Sequence, residues 1–485
     1  MPAGADPEVV ALEYDSRRCG PGTLFVAVPG FHVDGRRFAA DAARRGAIAV
    51  VAEDTLDPPV SIPVVRVESS RRALSALAAA QHGHPSRALT VAGITGTDGK
   101  TTTASLLWAA WSGARIQAGA LTTVDWRAGS EVIANKSRQT TLEAPQLQEQ
   151  LANLRDRGIS HVALETSSHA LELSRVDDVE YRAAVFTRVT SEHLDVHGSR
   201  QGYLAAKARL LEMVSARPDG VAVLNVDDEF AYPPLSRMPV ATRISYSISG
   251  AQEADVRAVD VRSAPGVTDV RVQTPWGDAE LSLRLAGRFN AENALAALAA
   301  ACATGAHLDG ALAGMARLEQ VRGRMERVDV GQNFAVVIDY AHTAGALATV
   351  LRELRPLTTG RLWVVFGSAG ERDVEKRGAM GEVAARLADV AVITDEDPRE
   401  EDRLRILEEI AAGATGAGGR RGETVVVMPD RAEAIRFAIE HALPGDTVLC
   451  AGKGHESSLI IGTEARPWDE RAVAESALLE RVVSQ

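Results

Sequence analysis

The chain has 485 residues, of which 46% are hydrophobic and 24% are charged, a composition typical of a soluble globular protein. Its 53 lysines and arginines stand against 65 aspartates and glutamates, and the net charge of -12 argues against a nucleic-acid partner. The length predicts about three domains. The first residues do not read as a signal peptide, and no apolar run is long enough to span a bilayer, so we expect a cytoplasmic protein without a membrane partner. We also expect it to be a monomer.

The three cysteines are far apart and show no CxxC spacing. Cys19, Cys302 and Cys450 therefore indicate neither a disulfide framework nor a zinc site. We expect them to be buried as small apolar residues.

Residues 1–88 are predicted to form a small α/β domain. Two apolar strands, 22–30 and 47–54, flank a helical stretch from Phe38 to Arg45. The polar, turn-rich segment 81–88 then predicts a linker to the next domain.

Residues 89–320 alternate between apolar strands and helical patterns, which is the signature of a parallel sheet with crossover helices. The strands are 89–95, 161–166, 183–189 and 220–228, and the clearest helices are 144–158 and 202–214. The stretch 269–285 has a period of two, which predicts an appended hairpin. An alanine-rich helix follows from Ala291 to Thr304.

A second alternation of strands and helices fills residues 321–485 and predicts a third α/β domain of about five strands. These strands are 334–340, 361–368, 389–395, 423–430 and 446–452. The glycine- and alanine-rich segment 411–422 is predicted to be a flexible surface loop.

The stretch "VAGITGTDGKTTT" runs from an apolar strand into a glycine-rich turn. The strict Walker A spacing requires glycine where Ile94 stands, so that pattern fails. Gly96 and Gly99 would still let the backbone close around an anion, with Lys100 as a cation and Thr101 as a hydroxyl ligand for magnesium. The segment predicts a nucleotide site, and the alternative is an ordinary strand-turn-helix corner with a surface lysine.

Polar residues gather where strands end, which is the edge at which open α/β sheets bind ligands. Glu165 ends one strand and is placed to take magnesium. The next strand is followed by Glu192, His193, Asp195 and His197. Four of the five strands in the third domain end in clusters that include Asp339 and His342, Arg372 and Asp373, Asp395 to Asp397 with Arg399, and Lys453 with His455 and Glu456. So many convergent clusters favour a functional cleft over solvated turns.

Ordered motifs along essentially the whole chain resemble the Mur ligase family, in particular its members that add the third residue of the peptidoglycan stem peptide. The motifs include "DSRRCGPGTLFVAVPG", "GITGTDGKTTT", "LETSSHAL", "HLDVHG", "YLAAKARL", "DYAHT", "DPR" and "GKGHE". The resemblance implies an α/β fold of three domains: an N-terminal domain (1–88) for a uridine nucleotide, a central P-loop ATPase domain (89–320) built on a parallel sheet, and a C-terminal Rossmann-like domain (321–485) for an amino acid.

The resemblance also implies the site residues. ATP is expected at Gly96, Thr97, Asp98, Gly99, Lys100, Thr101, Thr102, Asn290, Arg324 and Asp339. The UDP-muramoyl-dipeptide is expected at Ser16, Thr140, Thr141, Ser167 and Arg175, and the incoming diamino acid at Arg372, Asp397, Arg399, Gly452 and Glu456. Magnesium is expected at Thr101, Glu165, His193 and Lys207, with Lys207 carried as a carbamate, and the catalytic set is Lys100, Glu165, His193 and Lys207.

The activity implied by the family is ATP-dependent amide formation on UDP-N-acetylmuramoyl-L-alanyl-D-glutamate through an acyl phosphate. Five positions depart from the family pattern, namely Leu142, Leu173, Arg188, Glu192 and Ala344. None of them replaces Lys100, Glu165, His193 or Lys207.

The identity of the amino acid depends on the stretch from Glu396 to Arg399, which reads EDPR where diaminopimelate enzymes read DNPR. The carboxylate of Asp397 would repel a distal carboxylate, which favours lysine or ornithine. Arg372 and Arg399 remain to receive carboxylates, which favours meso-diaminopimelate. The first argument is slightly the stronger.

Two other interpretations stay open. A folylpolyglutamate or cyanophycin synthetase would share the P-loop and the carbamate lysine but would not need the N-terminal "DSR" unit. A non-catalytic nucleotide-binding protein would tolerate the five departures, although the presence of Glu165 and Lys207 argues against it.

Overall fold

The computed structural model describes residues 8–30, 33–137, 139–190 and 194–483. They form two compact units: the first holds the residues up to Ser247 with Glu253–Val256 and Ala296–Ala311, and the second holds Ile248–Gln252, Arg257–Leu295 and the residues from Leu312 onward. None of the helices in the described ranges is both long and apolar enough to cross a membrane.

The first unit begins with a small parallel sheet in the order β1-β2-β3-β4. Its elements are β1 (Ala11–Glu13), β2 (Thr23–Val26), α1 (Ala39–Arg44), β3 (Ala47–Ala52), β4 (Val64–Arg66) and α2 (Ser70–Gln81). Short 3-10 turns cover Ser16–Arg18, Gly35–Phe38 and Pro85–Ala88. The predicted helix from Phe38 to Arg45 is thus found as α1, preceded by a 3-10 turn.

The larger sheet of the first unit has the order β12-β11-β10-β5-β9-β6-β7-β8, parallel from β12 to β6 and antiparallel from β6 to β8. Its elements are β5 (Thr90–Thr95), α3 (Lys100–Gly113), β6 (Ala118–Leu121), β7 (Asp125–Ala128), β8 (Glu131–Ala134), α4 (Ala144–Asp156), β9 (His161–Glu165), α5 (Ser168–Glu172), β10 (Tyr181–Phe186), α6 (Leu194–His197), α7 (Arg200–Ser215), β11 (Val221–Asn225), α8 (Tyr232–Leu235) and β12 (Thr242–Ser247). Because β5 lies inside this sheet, the loop after it opens at the carboxyl edge, where ligands bind.

An antiparallel ladder and two helices come next in the chain. They are β13 (Val256–Ala264), β14 (Val267–Gln273), β15 (Ala279–Leu283), α9 (Arg288–Ala303) and α10 (Leu308–Ala316). β14 pairs with both β13 and β15, so the predicted hairpin is a three-stranded ladder.

The C-terminal sheet of the second unit has the order β16-β17-β21-β18-β19-β20, with β16 antiparallel and the other strands parallel. Its elements are β16 (Glu326–Val328), β17 (Ala335–Asp339), α11 (Ala344–Leu354), β18 (Leu362–Phe366), α12 (Glu375–Leu387), β19 (Val390–Ile393), α13 (Arg403–Gly416), β20 (Val425–Val427), α14 (Arg431–His441), β21 (Thr447–Ala451), β22 (Ser458–Ile461), β23 (Glu464–Pro467) and α15 (Glu470–Val483). The sheet contains the five predicted strands, and β16 adds one more at its edge.

The prediction of a flexible loop over 411–422 was wrong for its first half. Residues up to Gly416 belong to α13, and Ala411 and Ala414 lie in the hydrophobic core. A Cβ on Gly413 would lie 2.1 Å from the carbonyl oxygen of Gly378. This glycine lets α13 approach the backbone of α12 closely, so it serves packing rather than flexibility.

All three cysteines are free and buried, as predicted. The domain boundaries at residues 88 and 320 stay a prediction.

Candidate active site

The loop between β5 and α3 turns on two glycines with positive φ. Gly96 has φ +153° and Gly99 has φ +85°. A Cβ on Gly96 would lie 1.8 Å from Oγ1 of Thr187. Gly99 is also the N-cap of α3 and has no side chain to satisfy the first-turn amides. Such amides bind anions, and the 14-residue helix adds its dipole, so the loop suits a phosphate even though the Walker A spacing fails.

Two lysines converge on this loop. Nζ of Lys100 donates to the carbonyl oxygens of Gly96 (3.0 Å) and Thr97 (2.7 Å). Nζ of Lys207, from α7, donates to the same oxygen of Gly96 at 2.8 Å and lies 4.3 Å from the ring centroid of Tyr203. The side chain of Lys207 is buried. The carbonyl oxygen of Gly96 thus joins the two lysine nitrogens to the loop.

A buried carboxylate lies on the neighbouring strand. β9 pairs with β5 so that Glu165 is opposite Ile94, two residues before Gly96. The Glu165 carboxylate is fully buried and accepts hydrogen bonds from the amide (2.9 Å) and the hydroxyl (3.0 Å) of Thr123. These bonds fix the carboxylate beside the phosphate loop, where its oxygens could bind magnesium.

The predicted dipeptide contacts form a connected group next to Glu165. The hydroxyl of Thr141 donates to the Glu165 carbonyl at 2.8 Å and accepts from the amide of Ser167 at 3.0 Å. Arg175 donates to the carbonyl of Thr141 at 3.1 Å and pairs with Glu143 at 2.7 Å. The structure therefore brings three of the predicted dipeptide residues together.

The remaining predicted residues of the first unit are Ser16, Thr140 and His193. Thr140 is half-buried, and the hydroxyl of Ser16 donates to Asp41 at 3.0 Å within the small N-terminal sheet. Within the described part of the chain, no group of three or more His, Cys, Asp or Glu side chains could hold a metal ion. His193, together with the departure Glu192, lies outside the described residues.

Three of the predicted ATP residues belong to the second unit. Asn290 is buried and donates to the carbonyl of Ala286 at 2.8 Å. The carboxylate of Asp339 accepts the amide of Met325 at 2.8 Å, directly after Arg324. The guanidinium of Arg324 lies 4.6 Å from the ring centroid of Tyr340. Asp339 and Arg324 are thus held in one arrangement at the end of β17.

The predicted amino-acid residues meet where β19 and β21 end. Nζ of Lys453, whose side chain is fully buried, lies 2.8 Å from Oδ1 of Asp397 and also contacts Glu456. Asp397 accepts a further bond from the amide of Ile460 at 2.9 Å. The carboxylates of Asp397 and Glu456 therefore share one ammonium.

Glu396 adds a third carboxylate to this edge. Gly452 has φ +103°, and a Cβ there would lie 3.1 Å from Oε2 of Glu396, so the glycine leaves room for the carboxylate. Among the described residues, Oε2 of Glu396 has no hydrogen-bond partner although it is buried. Burial raises the pKa of Glu396, and the charges of Lys376 and His342 oppose that shift. The cluster therefore has more carboxylates than the ammonium of Lys453 can pair.

The two predicted carboxylate-binding arginines lie nearer the surface. The amide of Arg399, at φ +55°, donates to the carbonyl of Ile460 at 3.1 Å, and its guanidinium lies 3.9 Å from Glu371. Arg372 is exposed. Neither is tied into the Lys453 cluster by a described hydrogen bond.

The sequence interpretation missed two residues that shape the site. Thr123 holds Glu165, and Tyr340 lies beside Arg324. Lys453 was placed in a polar cluster at a strand end but given no role, and the structure shows that it joins Asp397 to Glu456. The motif "DYAHT" could have pointed to Tyr340, but Thr123 carries no local signal.

The structure describes four of the five departures from the family pattern. Leu142 is buried in the core, and Arg188 is exposed and contributes its backbone oxygen to the amide of Thr97 at 2.7 Å. Ala344 is the first residue of α11, whose N-cap Thr343 accepts the amide of Ala346. Leu173 is half-buried at the end of α5, and nothing in the structure explains its replacement of a polar residue.

Family models match three parts of the chain. The Mur ligase family catalytic domain matches residues 8–82, the Mur ligase middle domain 94–301, and the Mur ligase glutamate ligase domain 323–454.

Similar proteins match nearly the whole length. A UDP-N-acetylmuramyl-tripeptide synthetase of Roseiflexus sp. (strain RS-1) is 49% identical over 98% of this chain and 95% of its own. A UDP-N-acetylmuramoyl-L-alanyl-D-glutamate–2,6-diaminopimelate ligase of Geobacillus kaustophilus (strain HTA426) is 42% identical over 99% of this chain and 96% of its own. A solved structure of a ligase of the latter name is 30% identical, with a TM-score of 0.66 over 97% of this chain and 95% of that one.

The likeness to the solved structure confirms the predicted α/β fold class. The matched models and relatives extend over the N-terminal, central and C-terminal parts alike. The chain therefore belongs to the Mur ligase family, the ATP-dependent ligases of peptidoglycan synthesis.

Proposed function

We propose that the chain adds a diamino acid to UDP-N-acetylmuramoyl-L-alanyl-D-glutamate by way of an acyl phosphate. The observation that carries this proposal is the identity of 42–49% over almost the full length to relatives whose names describe a tripeptide synthetase and a diaminopimelate ligase. The match includes residues 8–82, a part that a folylpolyglutamate-type ligase would not need.

The phosphate loop is the proposed site for ATP. The amides after Gly99 and the ammonium of Lys100 would hold the phosphates, and Asn290, Arg324 and Asp339 would surround the adenosine. The main task of such a site is to neutralise the negative charge on the phosphoryl group during its transfer. The ammonium of Lys100, which contacts Gly96 and Thr97 of the loop, suits that task.

Magnesium fits the oxygen donors beside the loop. The buried hydroxyl of Thr101 and the buried carboxylate of Glu165 are hard oxygen ligands of the kind that magnesium prefers. Two such donors leave most of its coordination to phosphate oxygens and water, as is usual for this ion. Bound there, magnesium would neutralise phosphate charge. His193 is proposed as a further ligand from its motif alone.

Ser16 would meet the uridine nucleotide. The muramoyl-dipeptide would be held by Thr140, Thr141, Ser167 and Arg175, which would present the D-glutamyl carboxylate to the phosphate loop. An oxygen of this carboxylate would attack the γ-phosphorus of ATP, release ADP and become an acyl phosphate. The free α-amine of the diamino acid would then attack the acyl carbon, form the amide and displace phosphate. Orientation of the two reactants would supply much of the acceleration.

We further propose that Lys207 is a carbamate in the active enzyme. Its nitrogen faces Gly96 of the phosphate loop and is shielded from water. A carbamate would replace a positive charge by an anionic oxygen ligand at that point, which suits a magnesium site. The same burial would protect the carbamate from hydrolysis.

The carboxylates near Lys453 bear on the choice of amino acid. Lys453 pairs with Asp397 and Glu456, whereas Glu396, which also feels the charges of Lys376 and His342, keeps one carboxylate oxygen without a partner among the described residues. A bare distal ammonium would find complementary charge here, whereas a distal carboxylate would be repelled. We therefore propose L-lysine or L-ornithine ahead of meso-diaminopimelate.

The test is phosphate release from ATP in the presence of magnesium and UDP-N-acetylmuramoyl-L-alanyl-D-glutamate. Parallel reactions contain L-lysine, L-ornithine, meso-diaminopimelate or no amino acid. Release that requires one diamino acid would support the ligase and identify its substrate. Equal release in all four reactions, or none in any, would contradict the proposed function.

A further inference from the structure

Tyr340 occupies the space between the proposed adenosine residues and the proposed amino-acid residues. It follows Asp339, the last residue of β17, directly. Its ring contacts two histidine rings, with centroid distances of 4.7 Å to His342 and 5.0 Å to His455 and tilts of 57° and 52°. Such tilted contacts between rings restrict the orientation of the tyrosine ring.

One face of this ring contacts the nucleotide side of the site. The guanidinium of Arg324 lies 4.6 Å from the ring centroid, within the range of a cation–π interaction. Arg324 is bracketed by Gly323 and by Met325, whose amide is held by Asp339. The ring therefore contacts the guanidinium of Arg324 while Asp339 holds the neighbouring backbone.

The hydroxyl of the same ring contacts the amino-acid side. It donates to Oε1 of Glu456 at 3.3 Å, while the other carboxylate oxygen of Glu456 contacts Lys453. Burial and the negative charge of Glu456 raise the pKa of Tyr340, so the hydroxyl keeps its proton and remains a donor. The carboxylate of Glu456 is thus fixed from two directions.

The glycine of the neighbouring turn makes this arrangement possible. Gly454 has φ +49°, and a Cβ there would lie 2.9 Å from Cβ of Tyr340 and 3.0 Å from the carbonyl oxygen of Gly323. A larger residue would push the turn that carries Glu456 away from the ring. Gly454, the second glycine of the motif "GKGHE", therefore allows the turn to pack against Tyr340.

We propose that Tyr340 is a positioning residue that holds Arg324 for the nucleotide with its ring and Glu456 for the diamino acid with its hydroxyl. This inference rests on the proposed function for the roles of Arg324 and Glu456. The ring of Tyr340 would serve the nucleotide, and its hydroxyl would serve the diamino acid. Two substitutions can therefore distinguish the two contacts.

Tyr340→Phe removes only the hydroxyl and keeps the ring. We expect the KM for the diamino acid to rise about tenfold, since a hydrogen bond to a charged group is lost. The kcat should stay within about threefold, because Tyr340 touches no reacting atom. The Kd of magnesium-ADP, measured by calorimetry, should be unchanged.

Tyr340→Leu removes the ring as well. We expect the same rise in KM for the diamino acid together with a Kd for magnesium-ADP about fivefold weaker, because the cation–π support of Arg324 is lost. Tyr232→Phe, on α8 of the first unit, is the matched control and should change none of these constants. Circular dichroism and melting temperature would show whether each variant is folded.

The inference is overturned if Tyr340→Phe leaves the KM for the diamino acid unchanged, or if it weakens magnesium-ADP as much as Tyr340→Leu does. Should Tyr340→Leu fail to fold, the Phe variant decides alone. If the wild-type protein releases no phosphate with any diamino acid, the proposed function fails, and the Kd values of the Leu and Phe variants still decide whether the ring supports nucleotide binding.

Discussion

Lys207 donates a hydrogen bond of 2.8 Å to the carbonyl oxygen of Gly96, 111 positions earlier in the chain. This bond fastens α7 to the phosphate loop of the first unit. Lys207→Ala should lower the rate of phosphate release by on the order of a hundredfold or more, since the side chain proposed to carry the carbamate ligand of magnesium is removed. Neither more ATP nor more magnesium should restore the rate.

The matched control for Lys207→Ala is Glu212→Ala, an exposed position on the same helix. Its rate should equal that of the wild type. A Lys207→Ala variant with a wild-type rate, or one whose rate is restored by excess magnesium, would contradict the role proposed for Lys207.

Gly96→Ala should abolish tight nucleotide binding. The added Cβ would lie 1.8 Å from Oγ1 of Thr187, and φ +153° is unfavourable for alanine, so the loop must shift away from β10. We expect a Kd for magnesium-ADP at least about tenfold weaker by calorimetry. Gly378→Ala on α12, where a Cβ meets nothing within 4 Å, should leave the Kd unchanged. An unaltered Kd in Gly96→Ala would mean that the phosphates bind elsewhere.

Much of the fold could be predicted because parallel strands bury both faces and read as short apolar runs between helices. The phosphate loop could also be predicted, because its residues are contiguous in the sequence. The glycines of α13 misled the prediction, because Gly413 resembles a loop residue in sequence but allows helices to touch in the structure.

Contacts between distant segments could not be predicted in this way. Lys453 and Asp397 are 56 positions apart, and only the adjacency of β18 to both β19 and β21 brings the ends that carry them to one edge. The charge of Asp397 was therefore interpreted without its partner. Thr123 likewise shows no pattern that links it to Glu165, 42 positions away.

The stability of the C-terminal sheet region should depend on pH through His455. Burial and the nearby charges of Arg324 and Arg322 lower the pKa of His455 to about 3. Below pH ~6.5 the unfolded chain therefore binds a proton that the folded chain does not, and stability falls as the pH is lowered toward 3, by up to about 1.4 kcal/mol per pH unit. Above that range His455 contributes no pH dependence.

His455→Gln should make the melting temperature depend less on pH between 6.5 and 4. His82→Gln, at the end of α2, is the control and should follow the wild-type curve. A wild-type slope in His455→Gln would show that other groups cause the pH dependence.

Arg431→Met should destabilise the second unit strongly. Arg431 and Glu470 are both fully buried and paired at 2.9 Å, and Arg431 also donates to the carbonyls of Asp395 (3.0 Å) and Ala451 (2.7 Å). An unpaired buried carboxylate costs about 3–5 kcal/mol, which should lower the melting temperature by about 10 °C.

The control for Arg431→Met is Arg436→Met on the same helix, because Arg436 pairs with Glu480 at the surface, where such a pair is worth at most about 1 kcal/mol. Adding Glu470→Gln to Arg431→Met should recover part of the loss. If it recovers none, the lost bonds to the two strand-end carbonyls, rather than the unpaired charge, cause the destabilisation.

Asp397→Asn should shift the choice of amino acid toward meso-diaminopimelate. The change removes one carboxylate from a cluster in which Lys453 can still pair with Glu456, so a distal carboxylate meets less repulsion. We expect the ratio of kcat/KM for meso-diaminopimelate to that for L-lysine or L-ornithine to rise about tenfold. Asp402→Asn, which keeps the N-cap of α13, should leave the ratio unchanged. An unchanged ratio in Asp397→Asn would show that the distal group of the amino acid does not contact Asp397. Removal of a charge from a contacting side chain would change the relative binding of a distal ammonium and a distal carboxylate.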